Sequence, residues 1–247
     1  MTELELRQQY VNQLLSWRGK KESDGSHREI IDIYNNNKPL PANYKVKYTD
    51  SWCATTVSAA AIKVGITDII PKECSCGRMI ALFQKIGAWQ ERDDYTPKIG
   101  DIIFFDWQDT GIGDNTGWPD HVGVVASVEG NTITTIEGNI KDSVGSRTIK
   151  VNAKCIRGYG IPDYINKAKT ITPSPINVPT VPANNDASSK LIGKLCKVTA
   201  NTLNTREKSN TTSKIIGILK KDTKIMPIKI ENGMAYFEGW VSTNYIK

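Results

Sequence analysis

Apolar residues repeat at helical spacing over residues 1–17, where Leu6, Tyr10, Leu14 and Trp17 recur near every 3.6 residues with charges between them. Those charges interrupt any long apolar run, so the stretch reads as an amphipathic helix, neither a membrane span nor a cleavable secretory leader. Gly25 and Ser26 break the pattern before a second short helix at 28–34, which presents Ile30, Ile31 and Ile33. Pro39 and Pro41 then bound a loop. From residue 53 the alanines favour helix, Val57, Ala60, Ala61 and Val64 form its apolar face, and Gly65 supplies a stop. Asp50 or Ser51 is placed to cap it. A third helix is expected at 79–86. From residue 100 the period changes to two: runs at 100–107, 121–128, 132–139, 147–151 and 157–161 read as strands. Helices followed by strands predict an α+β domain, with the helix at 53 packed on an antiparallel sheet.

Residues 166–190 have a different composition. Pro173, Pro175, Pro179 and Pro182 are separated by Thr, Ser and Asn, which cannot build a core and predict an extended linker. It divides the chain into a domain at 1–165 and a smaller one at 191–247. In the latter, runs at 194–200, 215–219, 224–230, 234–238 and 239–241 alternate with turns, the pattern of a small β-barrel. Charge follows the same division. Residues 190–247 hold 11 Lys or Arg against 4 Asp or Glu, so the whole excess of the chain, +6, lies there. A basic module suits an anionic polymer. Nucleic acid fits the sign, but no zinc finger, KH loop or helix-turn-helix pattern accompanies it, so no nucleic-acid partner is expected.

Candidate chemistry centres on Cys53, where an irregular, polar approach becomes a helix. A thiol in a first helical turn lies at the positive end of the helix dipole, which favours thiolate, the reactive form. A nucleophilic cysteine needs a base, and the chain has only His27 and His121. His27 sits at a chain break and reads as a capping or hydrogen-bonding residue. His121 opens a strand that turns at 129–131 into the next. With a three-residue loop there, paired positions have numbers summing to about 260. His121 then faces Asn139 and lies diagonal to Glu137, and alternation puts all three on one face. A two-residue loop reverses that parity. In this arrangement His121 takes the thiol proton, and Glu137 or Asn139 holds the imidazole. The loop at 108–120, with Gly111, Gly113, Gly117 and Trp118, leads to the base and shapes a cleft, with Trp118 either a stacking platform or a packing anchor. Cys74 and Cys76 lack the further ligands of a zinc site, and Cys155 and Cys196 read as buried free thiols. Neither metal nor cofactor is expected. Five cysteines with one assigned to catalysis suit a reducing cytoplasm better than a disulfide scaffold.

Four ordered stretches carry a family resemblance: Trp52-Cys53-Ala54, the run from Pro97 to Phe105, Asp120-His121-Val122-Gly123-Val124-Val125, and Ile136-Glu137-Gly138-Asn139. Together they resemble the CHAP family of peptidoglycan amidases and endopeptidases, within the papain-like and NlpC/P60-like group. The resemblance implies a papain-like fold, Cys53 as nucleophile, His121 as base, Glu137 as its orienting group and Asn139 as polar support. Trp52 and Asp120, within those motifs, and Trp118, in the loop before the base, are the expected substrate-binding residues. Some CHAP enzymes have an acidic calcium loop before the cysteine; residues 45–50 lack its aspartate spacing, so no calcium is implied. Residues 203–206, 216–223 and 239–246 resemble a bacterial SH3-like (SH3b) domain, which implies wall binding through peptidoglycan or anionic wall polymers, with Trp240 and Tyr245 as core candidates. Catalytic head, Pro-rich linker and basic tail look like a phage endolysin: made in the cytoplasm without a signal peptide, reaching the wall after membrane permeabilisation or by non-classical export, and not inserted in the membrane. Rival expectations are a wall-binding protein without activity and a thiol acyltransferase on the same residues.

Overall fold

The computed structural model describes residues 1–92, 94–108, 117–170, 191, 196–225, 227, 229–237, 240–242 and 246. The chain divides into two units, Met1–Thr172 and Pro173–Lys247.

The first unit is built around a buried helix. Helix α1 (Glu3–Leu15) opens on a capping box: the Thr2 hydroxyl accepts from the Glu5 N–H while the Glu5 carboxylate accepts from the Thr2 N–H. Helix α2 spans Arg28–Asn36, α3 Cys53–Val64, α4 Cys76–Lys85 and α5 Tyr164–Thr170. Cys53 to Ala61 are all buried in α3, whose small side chains let α1, α2 and the sheet approach closely. Gly65 ends α3 in the left-handed conformation (φ 75°), as expected. The expected cap is different: Trp52 takes the N-cap position with no side-chain cap bond. Asp50 instead accepts from the Lys47 N–H and the Tyr44 hydroxyl, which shape the approach. Helix α4 starts three residues before the expected position, because Ser75 is a cap and Cys76 begins the turn.

Six strands, β1 (Trp89–Gln90), β2 (Ile102–Phe105), β3 (His121–Glu129), β4 (Thr132–Ile140), β5 (Ser143–Lys150) and β6 (Ile156–Gly160), form one sheet in the order β1-β6-β2-β3-β4-β5. Every pair in it is antiparallel. Strands β2 to β5 meander as expected, and β6 crosses back to flank β2. The motif from Pro97 to Phe105 is structural. Gly100 turns with φ 84°, its N–H donates to Val125 O, and buried Asp101 receives Arg7 from α1 at 2.8 Å.

The β3–β4 register is reached by an unexpected route. The loop has two residues, since Glu129 pairs with Thr132, which by itself reverses the side-chain parity. A bulge at Ala126 adds one residue to β3 and restores it, so that Val125 pairs with Thr135 and Val124 with Ile136, the expected register. Strand β4 also touches α3 at Gly138, where a Cβ would lie 2.0 Å from Thr56 Oγ1. Gly138→Ala should therefore cost about 1–3 kcal/mol by overpacking, measured as a lower midpoint in urea unfolding.

Helix α5 corrects the expected domain boundary. Tyr164 is buried and donates to Gly100 O at 2.8 Å, and Ala168 is buried too, so the end assigned at 165 lies inside a helix of the first unit. The linker prolines lie outside the described residues. In the second unit, β8 (Thr202–Arg206), β9 (Ile215–Lys220), β11 (Lys229–Glu231), β12 (Met234–Tyr236) and β13 (Trp240–Ser242) form a sheet in the order β11-β12-β13-β8-β9. Strands β7 (Cys196–Lys197) and β10 (Lys224–Ile225) form a separate pair. Cys196, Val198, Leu203, Ile225, Ala235 and Ile246 pack together as its core. The expected barrel is thus, among the described residues, an open five-stranded sheet with a two-stranded ribbon. Of the expected strand at 224–230, Lys224–Ile225 form β10 and residues 229 and 230 belong to β11. Tyr245 and the Trp240 side chain lie outside the described residues. No described helix is long and apolar enough to cross a membrane.

Candidate active site

Three elements bring the candidate groups together. Helix α3 presents Cys53 in its first turn, 5% exposed, and β3 presents His121 at its first residue, 9% exposed. The thiol and the imidazole lie close enough for each to shift the other's titration. His121 Nε2 meets Glu137 Oε2 at 3.0 Å, which leaves Nδ1 for the thiol. Gly123 makes this contact possible: a Cβ there would lie 2.6 Å from Glu137 Cγ, so only glycine lets the glutamate cross the sheet face toward the ring. Glu137 is itself held. Arg147 Nε and Nη2 donate to its carboxylate at 3.0 and 3.1 Å, and the Thr135 hydroxyl donates to Oε1.

A fourth element supplies a second thiol. Cys76, the first residue of α4, places its Sγ 3.6 Å from Cys53 Sγ. The start of α4 is tied to α3 through Ser58, whose Oγ donates to Glu73 O at 2.6 Å and accepts from Glu73 N at 2.9 Å. The Glu73 carboxylate then accepts from the Cys74 and Ser75 N–H groups and from Arg78.

The electrostatics favour an ion pair. The bond from Cys76 and then the bonded, charged imidazole hold Cys53 well below the ordinary thiol range, against the opposing effect of burial. Burial also works against protonation of His121, but its bonds to Cys53 and Glu137 prevail and push it up to about 9. Burial would raise Glu137, yet bonds from His121, Arg147 and Thr135 keep it below the usual carboxylate range. Cys76 moves the other way, pushed well above the ordinary range by its bond to Cys53 and by burial. These directions favour, near neutral pH, a Cys53 thiolate paired with a His121 imidazolium, beside an ionised Glu137 and a protonated Cys76.

Other predicted site residues lie in different places. Asn139 has φ 58° at a register shift between β4 and β5, which breaks the alternation that would have put it beside the ring. Among the described residues no hydrogen bond joins it to His121. Trp52 is fully buried; its Nε1 donates to Glu22 and its ring lies 5.6 Å from that of His27, so it anchors the core and offers no surface to a substrate. His27 has the hydrogen-bonding role expected of it, with Nε2 2.9 Å from Tyr48 O. Asp120 is exposed, and its Oδ2 accepts from the Trp107 N–H at 2.7 Å, clamping the approach to β3. Trp118 is 71% exposed but rests an edge on Gly77, where a Cβ would lie 2.4 Å from its ring. It is therefore a packing anchor and an open aromatic surface at once. Gly111 and Gly113 lie outside the described residues. Among the described residues no group of His, Cys, Asp and Glu is arranged to hold a metal.

Arg147, Trp107 and Cys76 were not expected. Continuing the alternation one strand further would have found Arg147 of β5, which pairs with Thr135 of β4. Trp107, 43% exposed and 6.2 Å from the His121 ring, follows the end of β2 and carries only the weak signal of an aromatic before a polar loop. Nothing in the sequence announces Cys76, since its contact depends on how α4 docks. Beside the site, Ala42, Tyr44, Asp50, Ser51, Cys74 and Arg78 line a cleft of about 310 Å³.

Residues 43–139 match the CHAP domain. The match contains Cys53, Cys76, His121 and Glu137, and stops before Arg147. Among solved structures, similarity is found to "The crystal structure of Ly7917", at 16% identity over 70% of this chain and 69% of that one, with a TM-score of 0.30. A second structure, "The crystal structure of Ly7917 with the hydrolyzing product of MDP", is 16% identical over 70% of each chain, with a TM-score of 0.31. No curated protein matches the chain in sequence. Within the matched segment, α3, α4, β3 and β4 carry Cys53, Cys76, His121 and Glu137 in turn.

Proposed function

We propose that the protein is a peptidoglycan hydrolase that cuts an amide bond of the bacterial cell wall by a Cys-His mechanism. The observation that carries this reading is the buried Cys53–His121–Glu137 chain inside a CHAP match. Cys53 thiolate adds to the carbonyl carbon, and negative charge moves to the oxygen. The N–H groups at the start of α3 have no helical partner, because the first bond of the helix runs from Thr56 N to Trp52 O, and they are available to stabilise this developing charge. As the C–N bond breaks, His121 gives its proton to the leaving amine. The neutral imidazole then takes a proton from water, whose oxygen attacks the thioester and releases the acid with return of the thiolate.

The second unit is a wall-binding module in this reading, of SH3b type. Its basic charge supports that role, as does edge strand β9, which exposes Ile215, Ile216 and Ile218 between Lys214 and Lys220. Its ligand is peptidoglycan or an anionic wall polymer, and the whole protein acts as an endolysin-type enzyme on the wall.

Digestion of purified Gram-positive peptidoglycan followed by mass spectrometry of the new ends tests the reading and assigns the bond. New amino-terminal L-Ala beside intact glycan establishes an N-acetylmuramoyl-L-alanine amidase; a new end within the stem or cross-bridge establishes an endopeptidase. Capture of the acyl group by an added amine in preference to water would instead make it an acyltransferase. Binding to walls of several chemotypes with no new ends from any of them would leave a wall-binding protein.

A further inference from the structure

We propose that Cys76 is a positioning residue of the nucleophile: its S–H donates to the Cys53 sulfur and holds it as a thiolate aimed out of α3. This rests on the reading of Cys53 as the nucleophile. The two sulfurs lie 3.6 Å apart, both buried, on the first turns of two different helices. A thiol is ordinarily a weak donor, but a bond to an anion is stronger than one between neutral groups, and a buried thiolate cannot draw that bond from water.

Placement of the second sulfur is built into the fold. The Ser58–Glu73 bonds fix α4 to α3, and Glu73 orders the two residues before Cys76. Charged and titratable groups around the pair divide the roles of the two thiols. Cys53 meets the imidazole of His121 from β3, backed by Glu137 from β4, and the Ala54 N–H of its own helix. Cys76 on α4 meets instead the negative charge of Asp120, from the connection before β3, together with that of Cys53 itself. Cys76 also has the N–H of its own residue as a donor, so what separates the two sulfurs is charge: positive beside Cys53 and negative beside Cys76. Cys76 keeps its proton and donates it. The imidazole is then one of several groups holding the thiolate, and Cys53 retains its aim after His121 has given its proton to the leaving amine.

The test is the pH dependence of Cys53 alkylation by iodoacetamide in the reduced full-length protein, with the modified residue read by peptide mass spectrometry. Cys76→Ala should raise the midpoint of that reaction by about one pH unit, the size expected for loss of one hydrogen bond to a charged group. Cys76→Ser, which keeps a donor, should return the midpoint most of the way. Cys76→Val, which restores volume without a donor, should behave as the alanine variant does, and it provides the comparison should the alanine variant not fold. The acid limb of kcat/KM should move with the alkylation midpoint. An unchanged midpoint in the donor-free variants, or a serine variant as shifted as alanine, overturns the proposal. Alkylation needs no wall substrate, so this result stands apart from the identity of the bond cleaved.

Discussion

Cys53→Ala should release no new ends from purified peptidoglycan, a loss of at least about 10⁴-fold in rate, the scale on which removing a nucleophile acts. The substitution is mild for the fold. Alanine is the best helix former, and it removes only the sulfur at a position whose backbone is already the first turn of α3. Far-ultraviolet circular dichroism and the unfolding midpoint should therefore stay close to wild type while hydrolysis disappears. Wall binding should persist, because the substituted atom belongs to the first unit and the proposed wall contacts to the second. Cys53→Ser should also be severely impaired, since a hydroxyl has no accessible anionic form even with the donors that surround this site. Retention of activity within tenfold by the alanine variant would place the nucleophile elsewhere.

The arrangement of Cys53, His121 and Glu137 in the candidate site was legible in the sequence because it depends on local rules. A helix stop at Gly65 and a polar approach located Cys53 at a first turn, and strand alternation put His121 and Glu137 on one face. The hairpin arithmetic reached the right register although its loop was one residue too long, because the bulge at Ala126 compensates for it. Bulges leave no dependable trace in a single sequence, and the one at the end of β4 removed Asn139 from the face that alternation gave it. Trp52 shows a different limit. The family motif put it at the cleft, but at the N-cap of a buried helix the indole is fully buried and packs in the core. Cys76 and Arg147 are set by docking of elements far apart in sequence, which residue spacing does not encode. The end of the first unit was misplaced for a related reason: α5 is short and polar, and only its packing through Tyr164 and Ala168 shows that it belongs there.

Glu137→Gln should lower kcat by about 10³–10⁴-fold, as expected when the carboxylate orienting a catalytic imidazole is replaced by its amide. It should also move the alkaline limb of kcat/KM. The active form holds a proton on His121 and none on Cys53. Activity therefore falls as pH rises through about 9, where His121 loses the proton it would deliver to the leaving amine. It falls on the acid side when Cys53 takes up a proton, below the ordinary thiol range. Glu137 is one of the two groups raising His121, so its loss should bring the alkaline limb down toward the ordinary value of 6.5. Stability carries the same signs. The His121 contribution is fully present below 6.5, the unfolded value, and is lost as pH rises toward about 9. The Glu137 contribution, from a depressed carboxylate, is present above the ordinary value of 4.5 and lost as pH falls below it. In the glutamine variant both dependences weaken together, because the two groups stabilise each other. Arg147→Gln acts on the same carboxylate from the other side. It removes the donors at 3.0 and 3.1 Å but leaves the His121–Glu137 bond, so its effect should be smaller, about tenfold in kcat, with the alkaline limb near its wild-type place. A pH–rate profile of the three proteins decides the matter: if the alkaline limb of Glu137→Gln coincides with that of wild type, the group titrating there is not His121, and its role as the proton donor falls with it.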